Sequence, residues 1–173
     1  ILAVRADHPA NIQNLPWVCG GCSDERGFSE GSQPMGMFRS VHLIITNEQR
    51  VVPFGVHVWN DSNINSKAAQ LHVETEDKNY SNKSNGVVIS NRLVNNAAQN
   101  IAESNTTKIF APGEVSTIRQ ELPVIQNPHL WNTNDPYLYS LITTVIKDGK
   151  IVDRVTTPYG IRRVSWPIGK AAS

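Results

Sequence analysis

The chain has 173 residues, enough for one ordinary domain or for one small domain and part of another. Hydrophobic residues make up 39% and charged residues 18%, the composition of a rather polar globular protein. Sixteen basic against fifteen acidic side chains leave a net charge of +1, and no apolar run approaches the roughly 20 residues of a spanning helix, so neither nucleic acid nor a membrane is expected as a partner.

The first stretch, ILAVRAD (1–7), alternates apolar and polar residues from its first position, as the inside of a strand does. It begins with neither an initiator Met nor a signal peptide, which is expected of a piece of a longer protein. A long loop from Pro9 to Pro34 carries Cys19-Gly20-Gly21-Cys22, and FRSVHLIITN (38–47) reads as a second strand. Strands Leu2–Ala6 and Arg39–Thr46 are expected to pair with each other, pack on the domain that follows, or mediate a homo-oligomer, because unpaired edges seek partners.

From Val51 to Val164 roughly seven strands follow, spaced as in a two-sheet sandwich of immunoglobulin type. FGVHVW (54–59) places Phe54, Val56 and Val58 on one face, with His57 and Trp59 on the other. QLHVETE (70–76) places Leu71, Val73 and Thr75 inward and His72, Glu74 and Glu76 outward. GVVISNRLV, STIRQELPV, LYSLITTVI and IVDRVTT continue the series, rich in β-branched residues whose stiff side chains suit a half-buried sheet. NDSNINS and KNYSNKSN read as loops, APGE (111–114) as a turn, and Asp148-Gly149 as a two-residue hairpin turn. The one candidate helix, from Asn95 to Glu103, lacks a clean 3.6-residue stripe.

Three stretches carry a resemblance. PMGMFRSVHL (34–43) resembles the strand that closes the sugar-binding jelly roll of glycoside hydrolase family 2. HLWNTNDPYLYSL (129–141) is similar to the family's L-W-x-P-x-x-P-x-L-Y-x-L segment, with Thr133 in place of the first proline. YGIRRVSW (159–166) resembles its G-I-R strand, which leads towards the catalytic barrel. The resemblance implies an all-β chain: the C-terminal part of a jelly roll over 1–46, an immunoglobulin-like antiparallel β-sandwich over 47–165, and a linker over 166–173 towards a barrel. It implies a retaining glycosidase as the parent, acting on terminal β-linked sugars, with β-galactosidase the leading activity and no cofactor. The family's two catalytic glutamates lie at barrel strand ends that nothing here matches, so no catalytic residue is assigned and the chain alone is expected to be inactive. A stand-alone carbohydrate-binding or adhesion sandwich is the alternative, and exposed aromatics on one sheet would favour it.

Individual residues are weighed on that basis. Asp7 ends the first strand, where the resembling enzymes carry an acid that reaches towards the sugar, and a carboxylate can accept hydrogen bonds from two hydroxyls. It is the candidate substrate contact, against the plainer reading of a turn aspartate. Glu74 and Glu76 share an outward face, but solvated carboxylates lack the burial that raises a general acid's pKa. Arg39 and Arg162 sit in otherwise apolar strands, where a guanidinium needs a partner, so structural pairing is expected.

The histidines at 8, 42, 57, 72 and 129 have no zinc spacing. Cys19 and Cys22 lack both the following helix of a redox motif and the second pair of a structural zinc site. A loop-stapling disulfide, as in a periplasmic or secreted protein, and a pair of reduced thiols stay open. Sequons begin at Asn60, Asn79, Asn82 and Asn105.

Overall fold

A computed structural model describes Ala3 and residues 43–164. The expected strand at Leu2–Ala6, Asp7, Cys19, Cys22, Arg39 and the segment 166–173 lie outside the described residues. Chain contacts group the residues into two units, Ile1–Ile44 and Ile45–Ser173, and the strands below belong to the second. Residues 43–47, expected to continue a strand, carry no ladder and are exposed. An apolar run without a pairing partner does not make a strand.

Nine strands follow one another without a helix among the described residues. They are β1 (Gln49–Asn60), β2 (Ala68–Ala69), β3 (Leu71–Asn79), β4 (Asn85–Val94), β5 (Asn100–Phe110), β6 (Val115–Glu121), β7 (Ile125–Gln126), β8 (Tyr139–Lys147) and β9 (Lys150–Tyr159). A three-stranded sheet runs β1-β3-β6, a four-stranded sheet runs β5-β4-β8-β9, and β2 pairs with β7. Every ladder is antiparallel.

Side-chain alternation decides which residues meet between the sheets. Leu71, Val73 and Thr75 are fully buried, as their two-residue period requires. The core forms two apolar clusters. One gathers Leu71, Val73, Leu93, Leu122, Leu141 and Ile161; the other gathers Val51, Val87, Ile89, Phe110, Ile118 and Val145. Between them runs a polar belt centred on Asn91 of β4. Its Nδ2 donates to Thr75 Oγ1 at 3.0 Å and Gln120 Oε1 at 2.6 Å, and its Oδ1 accepts from Thr143 Oγ1 at 2.5 Å. Gln120 Nε2 continues the belt to Ile89 O at 3.1 Å and Thr106 Oγ1 at 2.9 Å. The belt thus ties β3 and β6 to β4 and β8, and each buried polar atom named finds the partner its burial demands.

A second network closes one end of the sandwich. Asn85 Nδ2 donates to Asn79 Oδ1 at 2.9 Å, and Asn85 Oδ1 accepts from Lys147 Nζ at 2.6 Å. Gln49 donates to Asp77 Oδ1, while Asp77 Oδ2 is buried without a partner. Burial pushes the Asp77 carboxyl up to about 6, the Gln49 hydrogen bond partly opposes this, and the charge of Asp153 adds to it.

Two further expectations are corrected. Phe54 does not share the face of Val56 and Val58: it stands at φ +61°, fully exposed, in a bulge between Val51 and Val56. Pro53 has no N–H to give the ladder, and β1 arches out where pairing fails. The candidate helix over 95–103 is a turn followed by the start of β5. Asn95 Oδ1 accepts from Ala97 N at 3.0 Å and Gln99 N at 2.9 Å, and Ala98 takes φ +58°, so the side chain turns the backbone instead of starting a helix. The Asp148-Gly149 turn has φ +51° and +74°, the left-handed pair that a tight hairpin uses.

Candidate functional site

Two of the three sequence motifs meet at the end of the sandwich opposite Asp77. Trp131 lies in the connection before β8, and Gly160 and Ile161 directly follow β9. Trp131 N donates to Ile161 O at 2.8 Å, which lays the two segments side by side. A Cβ on Gly160 would stand 2.9 Å from Trp131 Cγ and Cδ1 and 3.0 Å from its Cβ, so the bare backbone of glycine admits the indole. The Arg162 guanidinium lies 5.2 Å from the centroid of that ring, a cation–π pairing that answers its need for a partner.

Asn60, the last residue of β1, fastens the same segment. Its Nδ2 donates to Arg162 O at 3.2 Å, and its Oδ1 accepts from Tyr159 Oη at 2.5 Å and Arg162 N at 3.4 Å. Burial pushes the Tyr159 phenol up, with the Arg162 charge and the backbone of Asn60 opposing. On the other side His129 N donates to Tyr139 Oη at 2.8 Å, and the His129 ring stacks on Tyr137 at 4.0 Å and 7°. His129 Nε2 meets Asp135 Oδ2 at 2.5 Å. Asn132 Oδ1 receives Asn134 N and Asp135 N at 3.0 and 2.9 Å, forming the polar turn between the tryptophan anchor and Pro136. These contacts fix the path of the chain, and among the described residues the junction brings together no pair of free carboxyl groups.

The carboxylates of β3 fare likewise. Glu74 Oε1 receives Arg119 Nε at 2.6 Å, so it is engaged in an ion pair on the outer face of the sheet. Of the sequons, Asn79 is buried and donates to Lys83 O at 2.7 Å and Ala111 O at 3.0 Å, and Asn60 is occupied as described. Asn82 and Asn105 are exposed. The roles of Asn60 and of the His129–Asp135 pair were missed by residue-level reading. The only signal for Asn60 was its place at the end of a strand, and for His129 its neighbourhood to the Leu-Trp pair.

Comparisons with known proteins agree with this geometry. The model of the family "Glycosyl hydrolases family 2" matches residues 55–162. A β-galactosidase of Bacteroides ovatus is 32% identical over 165 residues, 95% of this chain and 17% of its own. A β-glucuronidase of Formosa agariphila is 28% identical over 142 residues, 76% of this chain and 14% of its own. A solved β-glucuronidase from glycoside hydrolase family 2 superposes with a TM-score of 0.65 at 26% identity, over 68% of this chain and 13% of that one. The chain therefore spans under a fifth of the length of these relatives.

Proposed function

The chain belongs to glycosyl hydrolases family 2, and from that premise we propose that it is a non-catalytic portion of a retaining glycosidase, β-galactosidase-like in its sugar, with the sandwich bracing a jelly roll against a barrel. The observation that carries this is the junction of Trp131, Gly160 and Arg162 with Asn60. It spends Trp131, Gly160 and Arg162 on holding the chain's course out of β9. The contact of Glu74 with Arg119 supports the same view, since that carboxylate is already engaged in an ion pair. Residues 1–46 would then be the end of the jelly roll and 166–173 the link towards the barrel, with Asp7 reaching the substrate.

The β-galactosidase relative, 32% identical over 95% of this chain, supports galactose as the sugar. Nitrophenyl β-galactoside, β-glucuronide and β-mannoside offered to the intact parent enzyme test this. The highest kcat/KM is expected for the galactoside, and a preference for either of the others overturns the sugar assignment. Asp7→Asn in that enzyme is expected to raise KM; unchanged kinetics would remove Asp7 from the substrate site.

A further inference from the structure

The outer face of the three-stranded sheet carries two rows of side chains in register across β1, β3 and β6. Trp59 stands opposite His72, and His72 opposite Glu121; His57 stands opposite Glu74, and Glu74 opposite Arg119. Trp59 stacks against His72 with centroids 5.5 Å apart and an interplanar angle of 20°, and His57 lies 5.0 Å from the same indole. Asp61 Oδ1 holds His72 Nε2 at 2.9 Å, which leaves the other ring nitrogen facing Glu121 at 3.6 Å. A shallow hollow of about 200 Å³ opens here, floored by the strands at Val73 and Gln120 and rimmed by Trp59, His72, Arg119 and Glu121.

We propose that this hollow is a binding site for a neutral pyranose ring. Its size is below the roughly 300–1,000 Å³ of pockets for larger ligands, which suits one sugar unit. Its chemistry is amphipathic in the way a pyranose is: an indole that stays 37% exposed gives apolar contact to ring C–H groups. The guanidinium of Arg119 and the carboxylate of Glu121, whose side chains are 80% and 74% exposed, offer donors and acceptors to hydroxyls. An apolar protein partner would bury both of those charges at a cost, whereas sugar hydroxyls can satisfy them. Glu121 on the rim, with the Arg119 charge already shared with Glu74, disfavours an acidic sugar, which makes the ligand neutral. The choice of a sugar as ligand rests on the glycosidase reading; the geometry of the hollow does not.

Titration of the 173-residue chain with methyl β-D-galactopyranoside, followed by amide and indole NMR, tests the site. Saturable shifts are expected at the Trp59 indole and at the His72, Arg119 and Glu121 amides. Trp59→Ala is expected to weaken binding about tenfold, the scale of one lost aromatic contact. Arg119→Ala, on an exposed side chain of another strand, weakens it as well while native amide dispersion is kept. Absence of saturable shifts, or variants that both bind as tightly as the unchanged chain, overturns the site, and tighter binding of glucuronate overturns its neutral character. Hydrolysis by the intact parent is measured separately: a parent active on galactosides whose sandwich binds no sugar refutes this site and leaves the glycosidase reading standing.

Discussion

Gly160 and Trp131 touch so closely that the glycine has no room for a side chain. The nearest indole carbons lie 2.9 Å from where a Cβ would be, and the third contact is with the Trp131 Cβ itself, which cannot swing away without moving the backbone. The hydrogen bond from Trp131 N to Ile161 O holds that backbone in place. Gly160→Ala is therefore expected to destabilise the chain by about 1–3 kcal/mol, the range for overpacking a fitted core. Trp131→Ala combined with it should cost less than the sum of the two single changes. Urea denaturation of the four proteins measures this, and additive costs would show that the contact does not matter.

Asn91 joins both sheets through three side-chain hydrogen bonds. Asn91→Ala leaves Thr75, Gln120 and Thr143 partly unpaired in a dry interior. A loss of about 2–4 kcal/mol is expected, since each buried orphan costs roughly 1–3 kcal/mol and local shifts recover part of it. Thermal or urea unfolding checks it, and a change under 1 kcal/mol would mean that water reaches the belt.

Asp77 sets a pH dependence of unusual sign for an aspartate. Its carboxyl is raised from 3.8 to about 6 in the folded chain, so the folded state holds a proton that the unfolded state releases. The contribution is fully present below pH 3.8 and is lost as pH rises through about 6. At neutral pH the charged form sits buried near Asp153, with Lys147 reaching the same network through Asn85. Asp77→Asn should stabilise the chain above pH 6 by up to about 3 kcal/mol and flatten its profile between pH 4 and 7. Urea midpoints across that range decide, and an Asn variant that tracks the parent curve refutes the assignment.

Phe54 occupies left-handed backbone that a bulky L-residue enters at a cost of about 1–2 kcal/mol, and its ring contributes no burial. Phe54→Asn, which tolerates that conformation, should raise stability by about 0.5–1 kcal/mol. Gly55 beside it must stay: a Cβ there would strike Glu76 O and Val52 at 2.7 Å. A destabilised Asn variant would show that the Phe54 ring has a packing role.

How much of this could be read from residues alone follows the physics of each feature. The period of two in QLHVETE reports burial directly, and Leu71, Val73 and Thr75 stand where it puts them. Asp148-Gly149 was legible because few residue pairs tolerate two successive left-handed conformations. The bulge at Phe54 was hidden because alternation assumes an unbroken ladder, and Pro53 breaks it. The polar belt was hidden because Thr75, Asn91, Gln120 and Thr143 come from four strands, and only the packed sheets bring their atoms together. The motif residues pointed to a family, but the reason for them, an indole seated on a glycine, is a relation between segments 29 residues apart (131 to 160). The hollow at Trp59 and Arg119 likewise spans three strands, and no single stretch announces it.

If the chain braces a glycosidase, as proposed, it does not itself cleave sugars. Release of nitrophenol from nitrophenyl β-galactoside, measured side by side for the intact parent enzyme and the purified 173-residue chain, tests it most directly. Turnover by the parent and none above the blank by the chain is predicted. Turnover by the chain, rising in proportion to its concentration and unchanged on further purification, would contradict it.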